Sequence, residues 1–257
     1  MEQLFVSERQ SEILKVLEKK QKIFVPELVE RFGVSPATVR NDLNEMESKG
    51  LLKRTHGGAI KKSKTGFEQT SVQKEVANIN EKKAIAKAAA ELVDDGDTIS
   101  LDTGTTAFEF AREISKKRGL TVVTNDLKIA AFLEEYSDAT VILAGGTVRR
   151  GFRCTVGELA VRSLSGLSVD KCFLATNGLT LEKGLTTPDI GQGEVKKALA
   201  KTGTQIIVLC DSKKLGRNAL SSIIYLSEID ILVIDNGADP LALEEIADCE
   251  VEIIKAK

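Results

Sequence analysis

The stretch Val34-Ser35-Pro36-Ala37-Thr38-Val39-Arg40-Asn41-Asp42-Leu43-Asn44 carries its own punctuation for a helix. Ser35 is a strong N-cap, Pro36 suits the first helical position, and Val34 can staple to Val39. Val39, Leu43 and Met46 fall at i, i+4 and i+7, which makes one face core. Ala37, Thr38, Arg40, Asn41 and Asn44 lie on or beside the opposite face, as small or polar groups able to approach phosphates and base edges. The spacing predicts a helix over 36–48.

Upstream, Gly33 stops a helix that begins near Pro26 and turns Leu28, Val29 and Phe32 inward. Further upstream, Ser7-Glu8-Arg9-Gln10 reads as a capping box ahead of Ile13, Leu14 and Leu17. Helix, tight glycine turn and a second helix with a polar N-terminal half is the helix-turn-helix layout, although a three-helix bundle with a polar outer face shares the pattern. Downstream, Leu51-Leu52-Lys53-Arg54 and Ala59-Ile60-Lys61-Lys62 flank Thr55-His56-Gly57-Gly58. Two glycines supply positive φ for a hairpin, and the result is a basic wing with Lys53, Arg54, Lys61 and Lys62 near phosphate. His56 is either a DNA contact in the turn or a helper in packing the hairpin. Residues 1–62 hold 12 Lys+Arg against 9 Asp+Glu, and the remainder 24 against 29. A small basic head on a larger acidic body fits a nucleic-acid module joined to something else.

The run 34–43 with Glu47, Gly50-Leu51-Leu52 and Arg54-Thr55-His56-Gly57-Gly58-Ala59 resembles the winged helix-turn-helix of the DeoR-type bacterial transcriptional regulators. The resemblance implies contacts to double-stranded operator DNA from Ser35, Ala37, Thr38, Arg40, Asn41, Asn44, Lys53, Arg54, His56 and Gly57. Asn41 stands where many members carry a second arginine; an asparagine can pair bidentately with adenine.

Residues 61–80 show no firm periodicity and few large apolar side chains, so they read as a linker, with helix possible from Ser71 and Phe67 as an isolated anchor on a domain surface. The domains are then 1–60, a linker over 61–80, and a body over 81–257. The body alternates. Helical patterns at 82–93, 107–116 and 127–135 separate strand-like runs at 98–101, 121–124, 140–143, 173–175, 205–209, 231–234 and 251–254. The fold class is α/β, a winged helix-turn-helix followed by a Rossmann-like domain with a mostly parallel sheet, whose ligand belongs beyond the C-terminal strand ends.

After the first strand comes Asp102-Thr103-Gly104-Thr105-Thr106, where hydroxyls and free helix-terminal amides suit a phosphate. It is neither GxxxxGK[ST] nor GxGxxG, so nucleoside triphosphates and dinucleotides lack their signatures. Other strand ends and loops add Asn125, Gly145, Gly146, Arg149, Asp170, Asn177, Gly178, Glu194, Lys196 and Lys213. Each alone reads as a solvated loop; together they suggest a crevice with cations for phosphate and polar groups for sugar hydroxyls.

These segments also resemble the effector domain of the same regulators, similar in fold to ribose-5-phosphate isomerase. The resemblance implies that Thr103 to Thr106 and Lys213 hold the phosphate of a sugar, while Asp170 and Glu194 bond the sugar itself. It implies a repressor of a carbohydrate operon, released by a phosphorylated sugar and acting as a dimer or tetramer. The rival is a sugar-phosphate isomerase with a DNA-binding head, with Glu194 as base. No second lysine follows Asp170 at the isomerase spacing, which favours the regulator and no catalysis. A constitutive architectural DNA binder is the third class. No feature requires a metal or cofactor.

Of the four cysteines, 154, 172, 210 and 249, none forms a CxxC pair, which suits buried thiols in a reducing cytoplasm. No apolar run reaches the ~18 residues of a membrane span.

Overall fold

The computed structural model describes residues 5–20, 22–49, 51–61, 68, 70–75 and 77–257. The chain divides into two units, Met1–Phe67 and Glu68–Lys257. Lys62 and Phe67, expected on the wing and as an anchor, lie outside the described residues.

The first unit contains α1 (Val6–Lys20), β1 (Lys22–Phe24), α2 (Val25–Phe32), α3 (Pro36–Ser48), β2 (Leu52–Thr55) and β3 (Gly58–Lys61). Ile13, Leu17, Leu28, Val39, Leu43, Met46 and Leu52 form its core. Gly33 adopts φ 63 and caps α2, its amide donating to the Val29 carbonyl. The Ser35 hydroxyl accepts from the Thr38 amide at 3.1 Å and so starts α3. The start of α1 differs from the expected capping box. Helix begins at Val6, which puts Ser7 inside it; the amide of Phe5 donates to Glu8, and Gln10 donates across to Glu45 at 3.0 Å.

A buried ion pair between Arg9 and Asp42 pins α1 to α3, with a second contact from Arg9 Nη2 at 3.0 Å. The wing has a third strand that the sequence reading missed: β1 pairs with β3, giving the order β1-β3-β2. This corrects the role of one turn glycine. Gly57 has φ 88, but Gly58 does not lie at positive φ. A Cβ there would sit 2.0 Å from the Ile23 carbonyl oxygen, so Gly58 is needed for the close approach of β1.

The second unit opens with α4 (Ser71–Glu75), inside the expected linker where helix was possible from Ser71, and α5 (Ile79–Ala90), which begins three residues before the helix expected over 82–93. Then follow β4 (Thr98–Leu101), α6 (Thr105–Ile114), β5 (Thr121–Thr124), α7 (Leu127–Tyr136) and β6 (Thr140–Leu143). A hairpin of β7 (Thr147–Arg149) and β8 (Cys154–Val156) leads to α8 (Glu158–Leu164) and β9 (Val169–Ala175). A small antiparallel sheet is built from β10 (Gly178–Thr180), β11 (Gly184–Thr187) and, after α9 (Ile190–Ala200) and β12 (Gly203–Cys210), β13 (Ser221–Ser222). The chain ends with β14 (Ile231–Asp235), α10 (Pro240–Ala247) and β15 (Glu252–Ala256).

Seven parallel strands form the main sheet, in the order β15-β14-β12-β9-β4-β5-β6. Its central strands are apolar on both faces because helices cover both. On β12, Ile207 and Leu209 enter one core layer with Phe110 and Phe173, while Val208 and Cys210 enter the other with Leu174 and Leu199. Cys154, Cys172 and Cys210 are buried, and desolvation pushes each thiol up to about 12. Cys249 departs from the expectation of four buried thiols, because it follows α10 on the exposed surface. Among the described residues, no helix is long and apolar enough to cross a membrane.

Replacing one partner of a buried ion pair leaves the other charge without compensation. Asp42→Ala is expected to lower the stability of the first unit by about 3–5 kcal/mol in urea unfolding of the full chain; a loss below about 1 kcal/mol would show that Arg9 finds other solvation.

Candidate functional site

On α3 the side chains of Ala37, Arg40, Asn41 and Asn44 are all exposed, and they recur at i, i+3, i+4 and i+7. That spacing is one continuous stripe of a helix, opposite Val39, Leu43 and Met46. Ser35 and Thr38 are less free. Their hydroxyls hydrogen-bond each other at 2.9 Å, and Ser35 also caps the helix, so both belong first to the local architecture. On the wing, Lys53, His56 and Gly57 are exposed. Arg54 folds back: its amide donates to Glu47 at 2.7 Å and its guanidinium to the Arg40 carbonyl at 3.3 Å. Those bonds fix the wing against α3, beside the exposed stripe.

In the second unit, the C-terminal ends of β4, β5 and β9 converge on a polar crevice. Asp102, fully buried just beyond β4, accepts from the Ala175 amide at 2.9 Å and pairs with Lys196 of α9. Lys196 donates also to the Ala175 carbonyl at 2.8 Å. Next along the chain, the Thr103 hydroxyl donates to Asp126 at 2.6 Å. Gly104 precedes α6 at φ 136, in the region that favours glycine, and its amide donates to the same carboxylate at 3.3 Å. The first intrahelical bond runs from Phe108 to the Gly104 carbonyl, so the amides of Thr105, Thr106 and Ala107 have no helical acceptor. Asp126 caps α7 through the amides of Lys128 and Ile129. Burial raises its pKa, against the hydrogen bonds from Thr103 and those amides.

Three polar atoms at these strand ends, Asp102 Oδ1, Thr106 Oγ1 and Asn125 Oδ1, are buried without a hydrogen-bond partner among the described residues. Buried polar atoms are nearly always paired, so three unpaired ones following β4 and β5 stand out. Beside them opens a cavity of about 220 Å³. Gly104 and Thr105 form its floor, with Phe108, Glu109 and Arg112 from α6, Asp126 and Lys128 from α7, Phe152 and Arg153 from the β7–β8 hairpin, and Ser71, Glu75 and Ile79.

Of the residues expected to hold an effector, Gly104 and Thr105 line this cavity, while Asp102, Thr103, Thr106, Asn125 and Lys196 build the buried framework behind it. Arg149 and Asn177 meet at a neighbouring buried carboxylate, Glu68. Arg149 donates to it at 2.7 Å and Asn177 at 3.1 Å, with Lys74 at 2.6 Å. Burial opposes ionisation there, but Lys74 and Arg149 outweigh it and hold the Glu68 carboxyl below its usual range. Lys213 donates to Asn78 and does not line the cavity.

Four expectations are corrected. Asp170 sits at the N-terminal end of β9 and accepts from the Thr98 amide at 2.9 Å, so it belongs to the far end of the strands. Glu194 is exposed and paired with Lys197 at 2.9 Å, and α9 opens at Ile190 under the Asp189 cap, four residues before it. Gly178 makes room for the Arg217 carbonyl, 2.2 Å from where a Cβ would stand, and Gly146 for that of Val156 at 2.8 Å. Both glycines serve packing. Gly145 is exposed with open space around it.

Sequence reasoning missed Glu75, Phe152, Arg153 and Lys128. The readable signal was Asp126, an N-cap directly after a parallel strand, which places the first turn of α7 at the crevice.

Comparison with known proteins gives the following. Residues 9–65 match the DeoR-like helix-turn-helix domain and residues 77–236 the DeoR C terminal sensor domain. The HTH-type transcriptional regulator GlpR of Haloferax volcanii is 36% identical over 248 residues, covering 96% of this chain and 97% of that one. The transcriptional repressor AccR of Agrobacterium fabrum is 32% identical over 231 residues, 90% of each chain. Ribose 5-phosphate isomerase A of Methanocaldococcus jannaschii superposes with a TM-score of 0.41 and 21% identity, over 54% of this chain and 55% of that one.

Because Asp102 is fully buried, Lys196→Met is expected to destabilise the second unit by about 3–5 kcal/mol in denaturant unfolding. A change within about 0.5 kcal/mol of the parent would remove the pair from the framework.

Proposed function

We propose, for a chain that belongs to the DeoR family of transcriptional regulators, that the cavity at the N-terminus of α6 takes a phosphorylated sugar. Its occupancy then controls the hold of the winged helix-turn-helix on operator DNA. The family membership makes the chain a DNA-binding transcriptional regulator. Repression of a carbohydrate operon, and release by a sugar phosphate, are the finer reading.

The observation that carries it is the cavity at the α6 N-terminus beside buried, unpartnered polar atoms. Helix N-termini favour anions through their free amides and the positive end of the dipole. Lys128, Arg153 and Arg112 line the same space, each cation within reach of an acid there. The volume is below the ~300–1,000 Å³ of sites for drug-sized ligands, which suits a molecule of monosaccharide size. Asp126, which lines the cavity, offers carboxylate oxygens of the kind that accept from sugar hydroxyls.

On the DNA side, the exposed stripe of Arg40, Asn41 and Asn44 supports a major-groove role for those side chains, with Lys53 and His56 exposed on the wing. One head of this size binds weakly, so two or more heads on a homo-oligomer supply useful affinity. In support of self-association, the edge strand β6 exposes Ile142 and Leu143, with Val148 exposed on β7 and Leu159 on α8. A ligand that turns a 99:1 bound population into 1:99 must prefer the released state by about 5.5 kcal/mol.

Two measurements test the assignment. Arg40→Ala is expected to weaken binding to duplex DNA and to reduce the slope of log K against log salt by about 1, with sugar-phosphate binding unchanged; an unaltered slope would take Arg40 off the DNA. Thr105→Glu puts a carboxylate in the anion seat, at a helix position that tolerates acid. In a thermal-shift panel of phosphorylated aldoses and ketoses, the parent is expected to be stabilised by at least one compound and the variant by none. Equal stabilisation of both would move the phosphate elsewhere.

A further inference from the structure

The cavity is crowded with charge, yet balanced. Arg112, Lys128 and Arg153 face Glu75, Glu109 and Asp126 around it. Arg112 and Glu109 form a loose pair along α6 at 3.8 Å, and Asp126 is occupied with Thr103 and the start of α7. The two remaining cations share one carboxylate. Glu75 Oε1 lies 2.8 Å from Lys128 Nζ and 2.7 Å from Arg153 Nη1. A phosphate dianion brought next to three carboxylates gains little from three cations already neutralised; it gains much if one carboxylate leaves.

Glu75 is the one able to leave. Glu109 is mid-helix and Asp126 is buried under hydrogen bonds, whereas Glu75 ends α4, a five-residue helix. So short a helix does not hold itself together without its contacts. Its side chain is about one-third exposed, as are those of its partners. Ion pairs of that exposure are weak, which makes them replaceable. The segment bearing Glu75 begins at Glu68, where the first unit ends and the second begins. Glu68, Ser71, Lys74, Glu75 and Asn78 all make polar contacts with the body of the second unit or within the segment.

We propose that Glu75 is an internal stand-in for the effector's anionic group: in the free protein it neutralises Lys128 and Arg153, and an entering phosphate takes those cations and frees α4. This rests on the reading of the cavity as the anion site and adds how occupancy is passed on. The ligand competes with the chain's own carboxylate, and the segment it releases is the one continuous with the DNA-binding unit. The two charges of a phosphate dianion then replace the single charge of Glu75 against the same two cations, and the signal is the loss of an attachment.

The test is calorimetric titration of inorganic phosphate into the full-length parent, Glu75→Gln and Thr105→Glu. The expected result is that Glu75→Gln binds at least about fivefold tighter than the parent, the factor matching about 1 kcal/mol, while Thr105→Glu shows no saturable binding. Equal or weaker binding by Glu75→Gln, with the parent still binding and Thr105→Glu silent, overturns the stand-in and leaves the anion site intact. Absence of saturable binding in both parent and Glu75→Gln overturns the two together. As a check that needs no variant, trypsin cleavage after Lys74 in the parent is expected to speed up with phosphate; slower cleavage contradicts release of α4.

Discussion

The buried pair of Asp102 and Lys196 is the constraint on which the geometry of the crevice depends. It joins the end of β4 to α9 and, through Ala175, to the end of β9. A carboxylate placed there with no charged partner would repel any anion nearby. Paired with Lys196, it serves as structure, fixing the turn that presents Thr103, Gly104 and Thr105 to the cavity. Two strands of a parallel sheet, tied at their C-terminal ends, thus aim a helix N-terminus at one point in space. Thr103 and Asp126 repeat the device one strand further along. Rigidity below the cavity contrasts with the segment above it, where short charged contacts hold five-residue α4.

The winged head follows a similar economy. Arg9 and Asp42 are buried together, so α3 is anchored to α1 by charge as well as by Val39, Leu43 and Met46. That anchorage leaves the opposite stripe of α3 free of structural duty. Arg40 and Asn41 are adjacent in sequence to Asp42, yet their side chains are exposed while that of Asp42 is buried. Exposed and buried side chains are divided by helical periodicity alone.

Much of this was legible in the residues, for identifiable reasons. The cap at Ser35, the stop at Gly33 and the strands 98–101, 121–124 and 140–143 are set by local rules, and the structure places them at those residues. What was missed depends on partners distant in sequence. Strand β1 has three residues and exists because β3 lies beside it, which also explains Gly58. The segment 68–78 has no apolar period because ions and backbone contacts hold it, so it read as linker. Asp170 was assigned to the crevice by the family resemblance and by its place beside a strand; β9 starts at Val169, which puts that carboxylate at the wrong end. Glu75, Lys128 and Arg153 come from three elements, and no spacing in the chain announces their meeting.

The most direct measurement is a crystal structure of the full chain grown with a phosphorylated aldose that stabilises it. The account requires the phosphoryl oxygens within hydrogen-bond reach of the Thr105 and Thr106 amides, with Lys128 and Arg153 turned to them and Glu75 withdrawn. A phosphate bound at any other place, with Glu75 still joined to both cations, would contradict it.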